Sequence, residues 1–137
     1  MVYNDKDLFN EIERAFKAQL REAPIKELKD WIGNSDILEF VVNSDLHKDR
    51  KDFIVELIVL SQNLIYTFSA FFNENIYGTI PIKSISSITV STSKNEIVDF
   101  QIIMDSGLTF RMHLLYKNWD QIISVKSEIQ NLLEHIR

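Results

Sequence analysis

The sequence predicts an α+β fold made mostly of antiparallel strands, with a helical pair before them and one helix after. Three observations predict it. Apolar residues recur every three or four positions over residues 4–33. From Asp36 to Tyr116 they recur mainly every second position. From Asn118 onward the helical period returns.

In the first helix Leu8, Ile12, Ala15/Phe16 and Leu20 form the apolar stripe, with Glu11, Glu13, Arg14 and Lys17 between them. Asn4 or Asp5 can cap its start. Pro24 ends this helix and suits the first turn of a second, whose stripe is Ile25, Leu28, Trp31 and Ile32. Gly33 and Asn34 stop it. These two helices are expected as an N-terminal extension over 1–34, ahead of a main domain over 35–137.

Seven strand segments follow, at 37–42, 52–60, 63–72, 76–82, 85–92, 97–104 and 108–116. Short links between them imply antiparallel hairpins. Pro81 marks the fourth as an edge strand or a strand end, because proline cannot donate to a central ladder. The last hairpin has a readable register. Gly107 is the third residue of the loop Asp105-Ser106-Gly107, where a left-handed residue is wanted. That loop sets Ile102 opposite Phe110 and Phe100 opposite Met112, and places Asp99 beside His113 and Gln101 beside Arg111. In the second hairpin a turn at Gln62-Asn63 pairs Val59 with Tyr66, Leu57 with Phe68 and Phe53 with Phe72. Ile54, Ile58, Leu60, Ile65 and Phe71 then share the opposite face. Such an apolar face needs a cover, from the N-terminal helices or from another subunit. The closing helix has Trp119, Ile122, Ile129, Leu132/Leu133 and Ile136 as its stripe, with Asn118 as a cap.

The chain has 137 residues, 45% of them hydrophobic and 26% charged, which suits one domain with a sizeable core. A net charge of -5 argues against non-specific nucleic-acid or anionic-membrane binding. Cysteine is absent, which removes disulfides, thiolate metal sites and thiol nucleophiles. The start MVYNDKDLFNEIERAF has no apolar core region, so no signal peptide is expected. No run reaches the length of a membrane span, and a cytoplasmic location is expected.

The order of seven antiparallel strands and one long amphipathic helix resembles the bacterial pleckstrin-homology-like (PH-like) barrel. LIVLSQNLIYTF looks like that family's second and third strands. IPIKSISSITVS is similar to its next segment, and NWDQIISVKSEIQNLL fills the place of its closing helix. The resemblance covers Asp36 to Arg137. It implies a seven-stranded barrel with a C-terminal capping helix, to which the N-terminal helices are added. It also implies a non-catalytic protein-interaction or self-assembly module, and hence a protein partner or a homo-oligomer.

HKDRKDF, between the first two strands, occupies the loop where lipid-binding members of the family hold inositol phosphates. Lys48, Arg50 and Lys51 would be the carriers, and a membrane-surface or phosphoinositide adaptor is the alternative function. Asp45, Asp49 and Asp52 cancel those three cations, however, and a phosphate clamp needs net positive potential. A solvated hairpin tip is preferred, and a membrane partner is disfavoured. The histidines His47, His113 and His135 have no neighbours at metal-ligand spacing. Asp99 and His113 read as cross-strand pairing rather than acid–base machinery. The serines of KSISSITVSTSK lack a glycine-flanked nucleophile elbow. Tyr66, Phe68, Phe71 and Phe72 lack the flanking cations of a nucleic-acid platform. No catalytic residues, cofactor or metal are expected. The candidate interface is Ile54, Ile58, Ile65 and Phe71.

Overall fold

A computed structural model describes residues 5–44, 55–71, 74–93 and 96–136. Helix α1 spans Asp5–Ala18 and α2 spans Ile25–Ile32. The strands are β1 (Glu39–Asn43), β2 (Val55–Leu60), β3 (Leu64–Ala70), β4 (Asn75–Pro81), β5 (Ile85–Thr92), β6 (Ile97–Met104) and β7 (Thr109–Leu115). Short 3-10 turns at Ile82–Ser84 and Tyr116–Asn118 lead into β5 and into α3 (Trp119–Ile136).

The α+β class, the antiparallel pairing and the C-terminal helix are those the periodicity predicts. Both expected registers are present over the described residues, outside which Phe53 and Phe72 lie. Val59 faces Tyr66 and Leu57 faces Phe68 across β2 and β3. Asp99 faces His113, Phe100 faces Met112 and Ile102 faces Phe110 across β6 and β7. Gly107 sits at φ 91°, the left-handed conformation that its loop position demands.

The strands do not close into a barrel. They form a four-stranded sheet in the order β1-β2-β3-β4 and a three-stranded sheet in the order β5-β6-β7. Between β4 and β5, Pro81 lacks an N–H and the chain turns through Ile82–Ser84. At β1 a side chain stands where a ladder would have to run. Buried Asn43 accepts the Leu115 backbone N–H at 2.9 Å and the Asn118 Nδ2 amide at 2.9 Å, both through Oδ1.

Two apolar clusters flank the four-stranded sheet. One lies towards the second sheet and α3. It contains Val41, Ile58, Leu60 and Ile65 of the first sheet, Phe100, Ile102 and Met112 of the second, and Ile122, Val125 and Ile129 of α3. The other lies under the N-terminal helices. There Leu8, Ile12, Phe16, Leu28 and Ile32 pack on Leu57, Val59, Tyr66 and Phe68. Helices α1 and α2 thus share a core with the strands. The apolar doubling of β2 is explained: each face of the sheet has its own cover within this chain.

Helix α1 is shorter than its stripe predicts. It stops at Ala18, and Leu20 is 95% exposed at φ 58°. The Arg21 N–H donates to the Phe16 carbonyl and the Leu20 N–H to the Lys17 carbonyl, both at 2.9 Å. This is the Schellman pattern that turns a helix end back on itself. It carries Leu20 out of the stripe and into solvent. Among the described residues no helix is long and apolar enough to cross a membrane.

Candidate functional site

Of the residues expected to form a site, Lys48, Arg50, Lys51 and Ile54 lie outside the described residues. Ile58 and Ile65 are 1% and 0% exposed, so the surface expected of them is an interior one. They point into the cluster between the sheets, and it is Leu57, Val59, Tyr66 and Phe68 that the N-terminal helices cover. Phe71 lies just past the end of β3 and is half-buried. Ile58 and Ile65 therefore contribute to no outer patch.

The polar groups that come together do so on the outer face of the three-stranded sheet. Arg111 Nε lies 3.2 Å and His113 Nε2 3.8 Å from Asp99 Oδ1, and Gln101 Nε2 donates to Asp99 Oδ2 at 3.0 Å. The Arg111 and His113 side chains are about half exposed, at 55% and 51%. Charges this wet attract one another by no more than about 1 kcal/mol. The cluster is a half-exposed network across β6 and β7. Among the described residues no group of three His, Asp or Glu could hold a metal ion.

The sheet edges differ more sharply. At β1 the buried Glu39 carboxylate accepts the outward Phe40 N–H at 3.1 Å, and one end is closed by the Asn43 bridge. At β5 a bulge between Ile85 and Ser87 interrupts the ladder. β7 carries Arg111 and His113. Bulges and charges are the usual protection of a free edge. β4, with the sequence NIYGTIP, has no charge and no bulge.

Which backbone groups of β4 point outward follows from two hydrogen bonds. The Phe71 N–H donates to the Glu74 carbonyl at 2.8 Å, and the Ile82 N–H donates to the Asn63 carbonyl at 2.9 Å. Antiparallel partners alternate between bonded and non-bonded pairs. Glu74, Ile76, Gly78, Ile80 and Ile82 therefore bond inward to β3. Asn75, Tyr77 and Thr79 turn their N–H and C=O groups outward. Pro81 is next in the outward series, where its missing N–H costs β3 nothing. Among the described residues no backbone group bonds to this outer side of β4.

The strand behind that edge is held firmly. Trp31 lies edge-on to Tyr77 and to Tyr66, with ring centroids 4.9 and 5.1 Å apart, and Phe68 meets Tyr77 at 5.1 Å. The Tyr77 hydroxyl donates to Glu27 Oε2 at 2.8 Å. Desolvation, then that hydrogen bond, then the Glu27 charge push the Tyr77 phenol up to about 12. Gly78 is fixed by its opposite number: a Cβ there would lie 2.7 Å from Thr67 Oγ1. Ile76, next to it, is 50% exposed.

Sequence reading found one part of this edge, through Pro81. It missed Asn75, Tyr77 and Thr79 because their exposed groups belong to the backbone. The available signal was the absence of charge in NIYGTIP.

The described residues thus make a layered α+β domain whose central sheet is covered on both faces and open at β4. No protein-family model matches the chain, and no curated protein matches it.

Proposed function

We propose that this chain is a non-catalytic protein-interaction module of PH-like organisation, cytoplasmic, and working through the open edge of β4. Four strands, then three, then one long helix support the PH-like reading of the strand order. The observation that carries the function is the contrast between faces and edge. Both apolar faces of the four-stranded sheet are closed by this chain's own elements, whereas among the described residues no backbone group pairs with the uncharged outer side of β4. An extended segment can add to such an edge. Main-chain hydrogen bonds then supply affinity, and Ile76 and Tyr77 supply side-chain contacts.

The test is site-specific photocrosslinking in the native cell. A photoreactive side chain replaces Thr79 on the edge, or Thr89 on the exposed face of β5 as the control. A defined protein adduct at 79 that is absent at 89 is expected. Equal or absent adducts at both positions would defeat the reading.

A further inference from the structure

We infer that the segment that docks on β4 is β4 of a second copy of this chain, antiparallel, with Tyr77 opposite the second copy's Tyr77. The inference rests on the edge reading above and names its partner.

The outward groups decide the register. Asn75, Tyr77 and Thr79 are spaced two apart, and Pro81 ends the series. In an antiparallel pair centred on Tyr77, Asn75 faces the second copy's Thr79, Tyr77 faces Tyr77, and Thr79 faces Asn75. All three outward residues of each copy are then used, forming about six N–H···O bonds. Sliding the centre to Gly78 leaves about four bonds, between Tyr77 and Thr79, and sets Asn75 against Pro81, which has no N–H to give and whose carbonyl already accepts the Ser84 hydroxyl at 2.7 Å. Sliding it to Ile76 leaves Thr79 opposite residue 73, beyond the start of β4. The Tyr77-centred register is therefore the best that this edge can make with itself.

The side chains agree with it. On the face of Ile76 and Gly78, the Tyr77-centred register sets Ile76 beside the second copy's Gly78, in a non-bonded pair where side chains come closest. Gly78 has no side chain because Thr67 fills its space, so the half-exposed Ile76 meets bare backbone there. β4 has no charged residue, so two identical edges meet without like charges in the ladder. The result is one continuous eight-stranded sheet with a two-fold axis between the two Tyr77 residues, and each β4 edge is consumed by the other.

Two measurements on the full chain test this. The first is mass by sedimentation. Wild type is expected at two chains, and Thr79→Pro at one, because Thr79 donates outward and is not needed by β3. The second measures register and needs no proline. The chain has no cysteine of its own, so Asn75→Cys and Thr79→Cys each carry a single thiol. In the proposed ladder positions 75 and 79 of different copies lie about 5.5 Å apart, within disulfide reach. Two copies of position 75 lie about 13 Å apart, beyond it. In a redox buffer the mixture of the two variants is expected to give a disulfide-linked pair that neither gives alone. A wild type sedimenting as one chain would overturn the inference, as would a mixture that crosslinks no more than its parts. A photocrosslink from position 79 to a different protein, with wild type sedimenting as one chain, would overturn self-pairing and leave the edge reading standing.

Discussion

Leu20 holds a left-handed backbone conformation, φ 58°, with its side chain 95% in solvent. A branched side chain in that conformation costs about 1–2 kcal/mol, and nothing buried offsets it. Leu20→Gly removes the clash and keeps the Schellman turn, although glycine gives back part of the gain through a freer unfolded chain. A net stabilisation of about 0.5–1 kcal/mol is expected in urea unfolding. Leu20→Ala retains the conformational cost and is expected to gain nothing. Equal effects of the two variants would mean that the turn is not what limits α1. Tyr77 gives a second prediction, at high pH. Its phenol is raised to about 12 in the folded chain, against an ordinary value of 10.0. Above pH 10 the unfolded chain ionises first and binds fewer protons than the folded one. The stability that Tyr77 contributes is therefore intact below pH 10 and is lost progressively as pH rises towards about 12. Wild type should lose more stability between pH 9 and pH 11 than Tyr77→Phe does, and its absorbance titration should contain a late phenol that the variant lacks.

Among the elements, the helices α1 and α2 carry the most consequence. Leu57, Val59, Tyr66 and Phe68 lie beneath them, each 6% exposed or less. A chain beginning at Ser35 would present that face to water, a patch large enough to drive aggregation. It is expected to bind a hydrophobic dye and to sediment as large species at concentrations where the full chain does not. A well-behaved truncated chain would mean that this face finds another cover. The same face shows where sequence reading succeeds and where it stops. The register of β6 and β7 was readable because Gly107 has one place in its loop. The register of β2 and β3 was readable because a two-residue turn admits one pairing. Which side of β2 and β3 faced the second sheet was not readable. Leu57 and Val59 alternate with Ile58 and Leu60, and a period of two carries no direction when both phases are apolar. The candidate interface inherited that ambiguity, and Ile58 and Ile65 proved to be interior. Leu20 fitted the helical stripe, but the stripe does not record a backbone reversal two residues past Ala18.

At the scale of the whole molecule the chain is a set of layers: helices, a four-stranded sheet, then a three-stranded sheet with α3. A continuous ladder across β4 would extend the middle layer without disturbing the outer ones. The electrostatics of such a pair are distinctive. Each copy carries a net charge of -5, so two copies repel at long range, while the uncharged β4 adds no ion pair to hold them. Glu27, bonded to Tyr77, lies near the two-fold axis and adds to the repulsion. Salt shortens the reach of that repulsion from about 30 Å at 0.01 M to about 3 Å at 1 M and leaves the backbone bonds in place. Self-association is therefore expected to tighten several-fold as salt is raised over this range, read as the dissociation constant from sedimentation equilibrium. The opposite sign would have a specific meaning. A pair that weakens with salt is held by opposite charges, and β4 has none to give. The contact would then belong elsewhere on the surface, with Lys48, Arg50 and Lys51 as the first residues to reverse in sign.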